Sequence, residues 1–307
     1  MTGSGPAVDT RGLSRHFGAV RAVDGLDLRI ERGELYCLVG PDGAGKTTAI
    51  RMLCGILKPS AGSAAVLGFD LVRQRSAVKE KIGYLSQRFS LYGDLTVDEN
   101  LEFFAEIHGV RDFWTRREEL LGFTRLAPFR DRLAERLSGG MKQKLALACT
   151  LIHHPSLLLL DEPTTGVDPV SRREFWKILS SLLREGLTIL MTTPYLDEAE
   201  RASRVGLLSG GRLRASGPPK DIRALMTGTI LEAAGPDVRA AYRVLLPLKG
   251  PNRVQLFGDR LHVVVENAAR EGPGLAAALE RQGVAVGGWR EVPPSLENVF
   301  IMLTEGS

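Results

Sequence analysis

Gly40-Pro41-Asp42-Gly43-Ala44-Gly45-Lys46-Thr47-Thr48 is the stretch on which the reading of this chain depends. It fits the pattern G-x-x-x-x-G-K-[ST], and its flanks fit as well as its letters. Leu35-Tyr36-Cys37-Leu38-Val39 before it is a short apolar run that predicts a buried strand, and Thr48 to Leu53 after it predicts a helix. A strand, a glycine-rich turn and a helix N-terminus together form an anion trap. Gly40, Gly43 and Gly45 let consecutive backbone N–H groups point inward, and the helix end adds partial positive charge. In such a loop Lys46 reaches the β- and γ-phosphates of a nucleoside triphosphate and the Thr47 hydroxyl ligates Mg²⁺.

Working outward, 307 residues predict about two domains. With 44% hydrophobic and 25% charged residues there is ample material for a core. A net charge of +4, with arginines scattered rather than blocked, gives no sign of a nucleic-acid partner. Cys37, Cys54 and Cys149 sit in apolar contexts without metal-pair or disulfide spacing and read as buried free thiols. MTGSGPAVD has no apolar core of the signal-peptide kind, and no run approaches the roughly 18 apolar residues of a membrane span.

The segment from Arg11 to Glu31 predicts strands, with Leu26 to Glu31 alternating as one half-exposed antiparallel strand. Phe17, just upstream, offers a flat face to a purine base, although on local sequence a core aromatic fits it better. Ala64–Leu67 and Ile82–Leu85 read as further strands, the latter ending near Gln87. From Leu91 to Arg136 the character changes. Thr96 and Glu99 form a capping box, Val97, Leu101, Phe104, Ala105 and His108 share one face of the helix it opens, and a second helix is predicted over Asp112–Gly122.

Leu137-Ser138-Gly139-Gly140-Met141 opens a third helix. Two glycines in a first turn are poor helix formers and make sense where bare N–H groups must approach a phosphate closely. Leu157–Leu160 then predicts a strand buried on both faces, with Asp161 and Glu162 at the end where open α/β sheets bind ligands. Asp161 suits Mg²⁺, and Glu162 is placed to polarise a water for in-line attack on a γ-phosphate. Asp168-Pro169 caps a helix ended by Gly186, Leu187–Thr192 is another buried strand, and Thr193 to Glu200 starts a further helix.

The combined motifs resemble the nucleotide-binding subunit of ATP-binding-cassette (ABC) transporters over about residues 9–226. The resemblance rests on the phosphate loop from Gly40 to Thr48, Gln87, LSGGM (Leu137–Met141), LLLLDEPTTGVDP (Leu157–Pro169) and TTPYLDEAE (Thr192–Glu200). It implies an α/β phosphate-loop cassette with a mixed core sheet, an antiparallel β subdomain and a helical subdomain over about 88–154. ATP and Mg²⁺ are the implied cofactors. Phe17 becomes the adenine-stacking residue, reversing the local preference, and residues 40–48 bind the phosphates. Gln87 joins Thr47 and Asp161 near the metal, and Glu162, Gln87 and Lys46 form the catalytic set. Two such subunits pair head to tail, as a homodimer or heterodimer, so that Leu137, Ser138, Gly139, Gly140 and Met141 face the partner's ATP and Asp168 makes a contact across the dimer. Residues 88–136 receive a separate membrane permease, which holds the subunit at the cytoplasmic face of the membrane. No nucleic acid is implied.

Two departures stand out. LSGGM replaces the commoner LSGGQ, as in the branch that exports drugs, antibiotics or polysaccharides. Pro194 stands where the family usually has a histidine bridging the γ-phosphate and the catalytic glutamate, and proline offers no donor. The main expectation is an ATPase that energises an exporter; the alternative is a binding switch that closes on ATP with negligible hydrolysis. Residues 1–8 are expected to be a flexible N-terminus. After about Met226 the order β (229–233), α (237–246), β (253–257), β (261–266), α (274–282), β (284–290) and a last helix from Ser295 predicts a small ferredoxin-like α+β domain over 227–307. His262 reads as an isolated strand residue, and PPSLENVF resembles the C-terminal extension of the same exporter branch.

Overall fold

The computed structural model describes residues 5–87 and 91–304. The chain divides into two compact units, the first ending at Leu213 and the second beginning at Arg214, earlier than the boundary expected near residue 226. The first unit contains, in chain order, β1 (Val8–Phe17), β2 (Val20–Leu26), β3 (Arg29–Ile30), β4 (Leu35–Val39), α1 (Lys46–Leu53), β5 (Ala61–Val66), β6 (Phe69–Asp70), α2 (Arg75–Lys81) and β7 (Ile82–Leu85). Next come α3 (Val97–Ile107), α4 (Trp114–Thr124), α5 (Gly139–Leu151), β8 (Leu157–Asp161), α6 (Pro169–Arg184), β9 (Thr188–Thr193), α7 (Leu196–Ala199) and β10 (Arg204–Ser209). β11 (Arg212–Gly217) spans the division between the units.

Two sheets organise this part. An antiparallel one runs β2-β1-β5-β6, with β3 on β1, and the other runs β11-β10-β4-β9-β8-β7. In the second, β10, β4, β9, β8 and β7 pair in parallel. Every residue of β4, β8 and β9 is buried, which explains why β4 and Leu157–Leu160 of β8 are continuous apolar runs rather than alternating ones. Each leucine of β8 removed from water stabilises the fold by about 1.5–3 kcal/mol. Ile50, Met52 and Leu53 of α1 share one core cluster with Leu38, Leu159 and Leu190 of this sheet and Leu13, Val23 and Leu26 of the other. The glycine-rich turn between β4 and α1 is thereby fixed from both sides.

Several expectations need correction here. Leu26–Glu31 is not one strand. β2 ends at Leu26 and β3 begins at Arg29, although Leu26, Leu28 and Ile30 alternate inward as read. At the break, side chains replace ladder bonds: Asp27 Oδ1 accepts from Gly12 N at 2.6 Å, and Thr10 Oγ1 accepts from Leu28 N at 2.8 Å. Ala7 and Val8, expected in a flexible N-terminus, are fully buried, and Ala7 N donates to Ile30 O; residues 1–4 lie outside the described residues. The capping box is present in both directions, Glu99 N to Thr96 Oγ1 at 3.2 Å and Thr96 N to Glu99 Oε2 at 2.7 Å. His108, read on one face of α3 with Val97, Leu101, Phe104 and Ala105, is its exposed C-cap and stacks on His153 at 3.9 Å. The following helix is shifted to Trp114–Thr124. Arg88–Ser90, the start of the expected helical subdomain and docking segment, lie outside the described residues.

The second unit contains α8 (Pro219–Arg223), β12 (Thr229–Ala234), α9 (Val238–Lys249), β13 (Val254–Phe257), β14 (Arg260–Val265), α10 (Ala268–Glu280), β15 (Arg290–Val292) and α11 (Leu296–Thr304). The sheet is antiparallel in the order β13-β14-β12-β15, the βαββαβ arrangement anticipated from sequence. Leu231, Leu261, Val263 and Val265 meet Ala241 and Leu245 of α9 and Leu275 and Leu279 of α10 in its core. α10 begins six residues before the predicted start because Asn267 caps it, accepting from Arg270 N at 2.9 Å, and Pro273 is accommodated inside. The predicted strand over 284–290 fails for most of its length. Val284, Val286 and Trp289 do pack on the core and Gly287 N donates to Ala234 O of β12 at 2.7 Å, but the continuous ladder with β12 starts only at Arg290. Among the described residues, no helix is long and apolar enough to cross a membrane.

Candidate functional site

The turn from Gly40 to Lys46 borders a cavity of about 640 Å³. Asp42, Gly43, Ala44, Gly45, Lys46, Thr47 and Thr48 line it together with Phe17, Val20, Arg21, Ala22, Gln87, Glu162, Gly210 and Gly211. The turn tolerates little substitution. Gly45 has φ +104°, and a Cβ there would fall 2.2 Å from Ala22 O; a Cβ on Gly40 would fall 2.1 Å from Leu208 O. The pattern's glycines are therefore required by backbone conformation and close approach before any ligand is considered. Pro41 O accepts from Ala44 N at 3.1 Å, closing the tight part of the loop.

Lys46 is 3% exposed and its Nζ donates to Gly40 O at 2.7 Å and Pro41 O at 3.0 Å. The same ammonium lies 3.0 Å from Glu162 Oε1, and Gln87 Nε2 donates to Glu162 Oε2 at 3.0 Å. Glu162 is itself 7% exposed and sits at φ +49°, a left-handed conformation that side chains rarely adopt. Its N–H is held by Thr192 O at 3.1 Å and Thr192 Oγ1 at 3.0 Å. Strain of this kind persists only where the surroundings over-determine it, and the turn it makes aims the carboxylate into the cavity.

Asp161 is fully buried at the end of β8. Its Oδ1 accepts from Thr47 Oγ1 at 3.0 Å and Thr192 Oγ1 at 2.8 Å, while Tyr84 OH lies 3.5 Å from Oδ2. Burial pushes the Asp161 carboxyl above its ordinary pKa, and the Thr192 and Thr47 hydroxyl bonds offset part of that rise. Phe17, at the end of β1, is 46% exposed, and the Arg15 guanidinium covers one face of its ring at 4.6 Å. The ring is thus a surface platform rather than a core aromatic.

Residues 137–141 do not line this cavity. Ser138 caps α5, accepting from Met141 N at 3.3 Å. The two glycines after it differ in kind. A Cβ on Gly139 would meet open space, whereas one on Gly140 would fall 2.2 Å from Ser171 Oγ of α6. Gly140 therefore answers to helix packing, a reason the sequence did not reveal. Asp168 caps α6, its Oδ1 accepting from Val170 N and Ser171 N at 3.0 Å each, and those Ser171 bonds hold its carboxyl below the usual range. Pro194 lies in the loop after β9.

Comparison with known proteins matches residues 23–165 to the ABC transporter family. The probable multidrug ABC transporter ATP-binding protein YbhF of Escherichia coli is 43% identical over 222 residues, which is 71% of this chain but only 38% of YbhF. The daunorubicin resistance ATP-binding protein DrrA3 of Streptomyces coeruleorubidus is 39% identical over 307 residues, covering 97% of this chain and 96% of DrrA3. This chain belongs to the ABC transporter family. A dimeric ATP-binding cassette solved with ADP and Pi, MJ0796, has the cassette's fold at a TM-score of 0.62, 25% identity, and coverage of 69% of this chain and 98% of that one.

Within this ABC cassette several residues of the quoted motifs take part that were given no role from sequence. Thr192 binds both Asp161 and the Glu162 N–H, and Thr193 and Thr164 donate to the buried Glu198 at 2.7 and 2.8 Å. They are hydroxyls at strand ends, visible only once β8 and β9 are known to be neighbours.

Proposed function

We propose that this chain binds ATP with Mg²⁺, hydrolyses it, and energises a membrane exporter by pairing head to tail with a second cassette. The observation that carries this reading is Glu162, a buried carboxylate lining the phosphate-loop cavity with Lys46 and Gln87 each 3.0 Å from its oxygens. The base stacks on the free face of Phe17, and the loop's N–H groups receive the phosphates. Thr47 Oγ1 and Asp161 Oδ1, 3.0 Å apart, suit a divalent cation, since a carboxylate that burial disfavours is one that such an ion stabilises; Gln87 completes the set. When bound, the ion neutralises charge on the β- and γ-phosphate oxygens.

Lys46 exchanges Glu162 Oε1 for phosphate oxygens, leaving that carboxylate oxygen able to take a proton. Glu162 and Gln87 hold a water in line with the γ-phosphorus. As its oxygen bonds to phosphorus, the bond to the β–γ bridging oxygen breaks, the proton passes to Glu162, and ADP and phosphate leave. Ser138 and Gly140, with Leu137, Gly139 and Met141 around them, address the partner's γ-phosphate, and Asp168 meets the partner. The names of the two relatives, a probable multidrug ABC transporter ATP-binding protein and a daunorubicin resistance ATP-binding protein, and the exposed Tyr92, Ile107 and Trp114 support docking of a membrane permease on the segment up to residue 136, at the cytoplasmic face of the membrane. Phosphate release tests the hydrolytic step. It is expected to fall at least about 100-fold in Glu162→Gln, which also traps an ATP-bound dimer in size-exclusion chromatography; unchanged release rejects the assignment. Cross-links to a co-expressed permease are expected chiefly from residues 91–136, and a preponderance from residues after 226 rejects the docking surface.

A further inference from the structure

We infer that Glu198 is a positioning residue that clamps the segment following Glu162 to the loop carrying Pro194, so that the two move as one body. This rests on the hydrolytic reading above and deepens it. Glu198 belongs to α7, is 1% exposed, and touches neither the cavity nor the phosphate loop. Its Oε2 alone accepts two hydroxyl bonds, from Thr164 Oγ1 at 2.8 Å and from Thr193 Oγ1 at 2.7 Å. Its Oε1 faces Arg172 Nε of α6 at 3.5 Å, and the same guanidinium lies over the Tyr195 ring at 4.9 Å.

Burying a carboxylate is costly unless the groups around it are arranged to receive it. Here they come from three places: the segment two residues beyond Glu162, the end of β9, and the first turn of the helix capped by Asp168. Thr193 Oγ1 also accepts from Tyr195 N at 3.1 Å, so one hydroxyl braces both sides of Pro194. Thr193 pairs with Val39, directly before the phosphate loop, and its carbonyl accepts from Gly40 N at 3.4 Å. A continuous path therefore runs from Gly40 through Thr193 and Glu198 to Thr164 and the strained Glu162. Pro194 has no side-chain donor with which to reach a nucleotide, and the clamp fixes its loop from behind through Glu198.

Full-length Glu198→Ala is expected to lower kcat about 10- to 100-fold with KM for ATP within about twofold, because the reacting carboxylate is misplaced while the phosphate seat is not. Amide hydrogen exchange should rise together at residues 163–168 and 193–196. Glu198→Gln keeps an oxygen for both hydroxyls and should recover most of either effect. If the alanine variant fails to fold, Thr164→Val and Thr193→Val, each removing one donor at constant shape, should reproduce the pattern at smaller size. A lowered melting temperature with kcat unchanged, or faster exchange at one segment only, overturns the clamp. If the unmutated protein hydrolyses ATP no faster than Glu162→Gln, the hydrolytic reading fails and the exchange measurement alone decides the clamp.

Discussion

Glu162 in the first unit and Glu232 in the second are both buried carboxylates, 7% and 4% exposed, and they are held in opposite ways. Glu232 is surrounded by two arginines and a histidine. Arg290 donates through two nitrogens, Nε at 2.7 Å, Arg260 approaches to 3.3 Å, and His262 Nε2 lies 3.0 Å away. His262 is therefore not the isolated strand residue expected; Asn298 of α11 reaches its other nitrogen at 3.0 Å. Burial pushes the Glu232 carboxyl up, but the bonds from Arg290, His262 and Arg260 outweigh it and bring the pKa to about 2. Among the described residues Glu162 has one cation, Lys46, which also borders the cavity, and a backbone conformation that works against it. A buried charge whose partners are all side chains of its own fold, none of them facing a cavity, ties elements together. One whose partner also faces a cavity can exchange it for a ligand.

The contrast can be broken most forcefully at Lys46. Lys46→Ala should abolish ATP binding, read by isothermal titration as a loss of at least about 100-fold, since a buried ion-to-phosphate contact disappears with nothing to replace it. Unchanged affinity would place Lys46 in the same structural class as the arginines around Glu232. The mirror experiment is Glu232→Gln. It should destabilise the protein by about 1–3 kcal/mol, below the full cost of breaking a buried pair because Arg260 and Arg290 are more than half exposed and keep their water, while ATP affinity stays unchanged. The pH dependence has a definite sign. Glu232's pKa in the folded chain lies below the unfolded value, so its contribution is complete above about pH 4.5 and is lost as pH falls towards about 2. Denaturant midpoints of the two proteins should converge over that window and stay apart above it. The smallest effect is expected at Pro194. Pro194→His should change turnover by less than about tenfold, since Glu162 is positioned by Thr192 and Gln87 rather than by residue 194. Histidine restoring hydrolysis to an otherwise silent protein would replace the ATPase reading with that of a binding switch.

What was legible in the sequence follows the range of the forces involved. The phosphate loop, the capping box at Thr96 and the acidic pair at Asp161-Glu162 are short contiguous motifs, readable without knowing the distant residues that hold Gly40, Gly45 and both carboxylates in place. The fully apolar runs of β4 and β8 announced a sheet covered on both faces. What stayed hidden lies between distant segments. Glu232, His262 and Asn298 meet only because β12 and β14 are neighbours and α11 reaches that sheet. Gly140 carries a second, packing reason that stayed hidden because its neighbour, Ser171, is 31 positions away. The strand over 284–290 misled for another cause. Inward alternation reports burial, and here burial came with a single backbone bond, at Gly287, before the ladder starts at Arg290.

The close approach of Gly140 to Ser171 bears on how such chains are sorted. A methyl group at position 140 would have to push α5 away from α6, whether or not a nucleotide ever touches it. Natural selection for folding alone would then keep that glycine in a descendant that had abandoned ATP turnover. Its presence is a poor reporter of a live enzyme. Gly139, which faces open space, carries no such obligation, so a side chain at 139 beside an intact 140 would be the earlier sign of a cassette drifting into retirement.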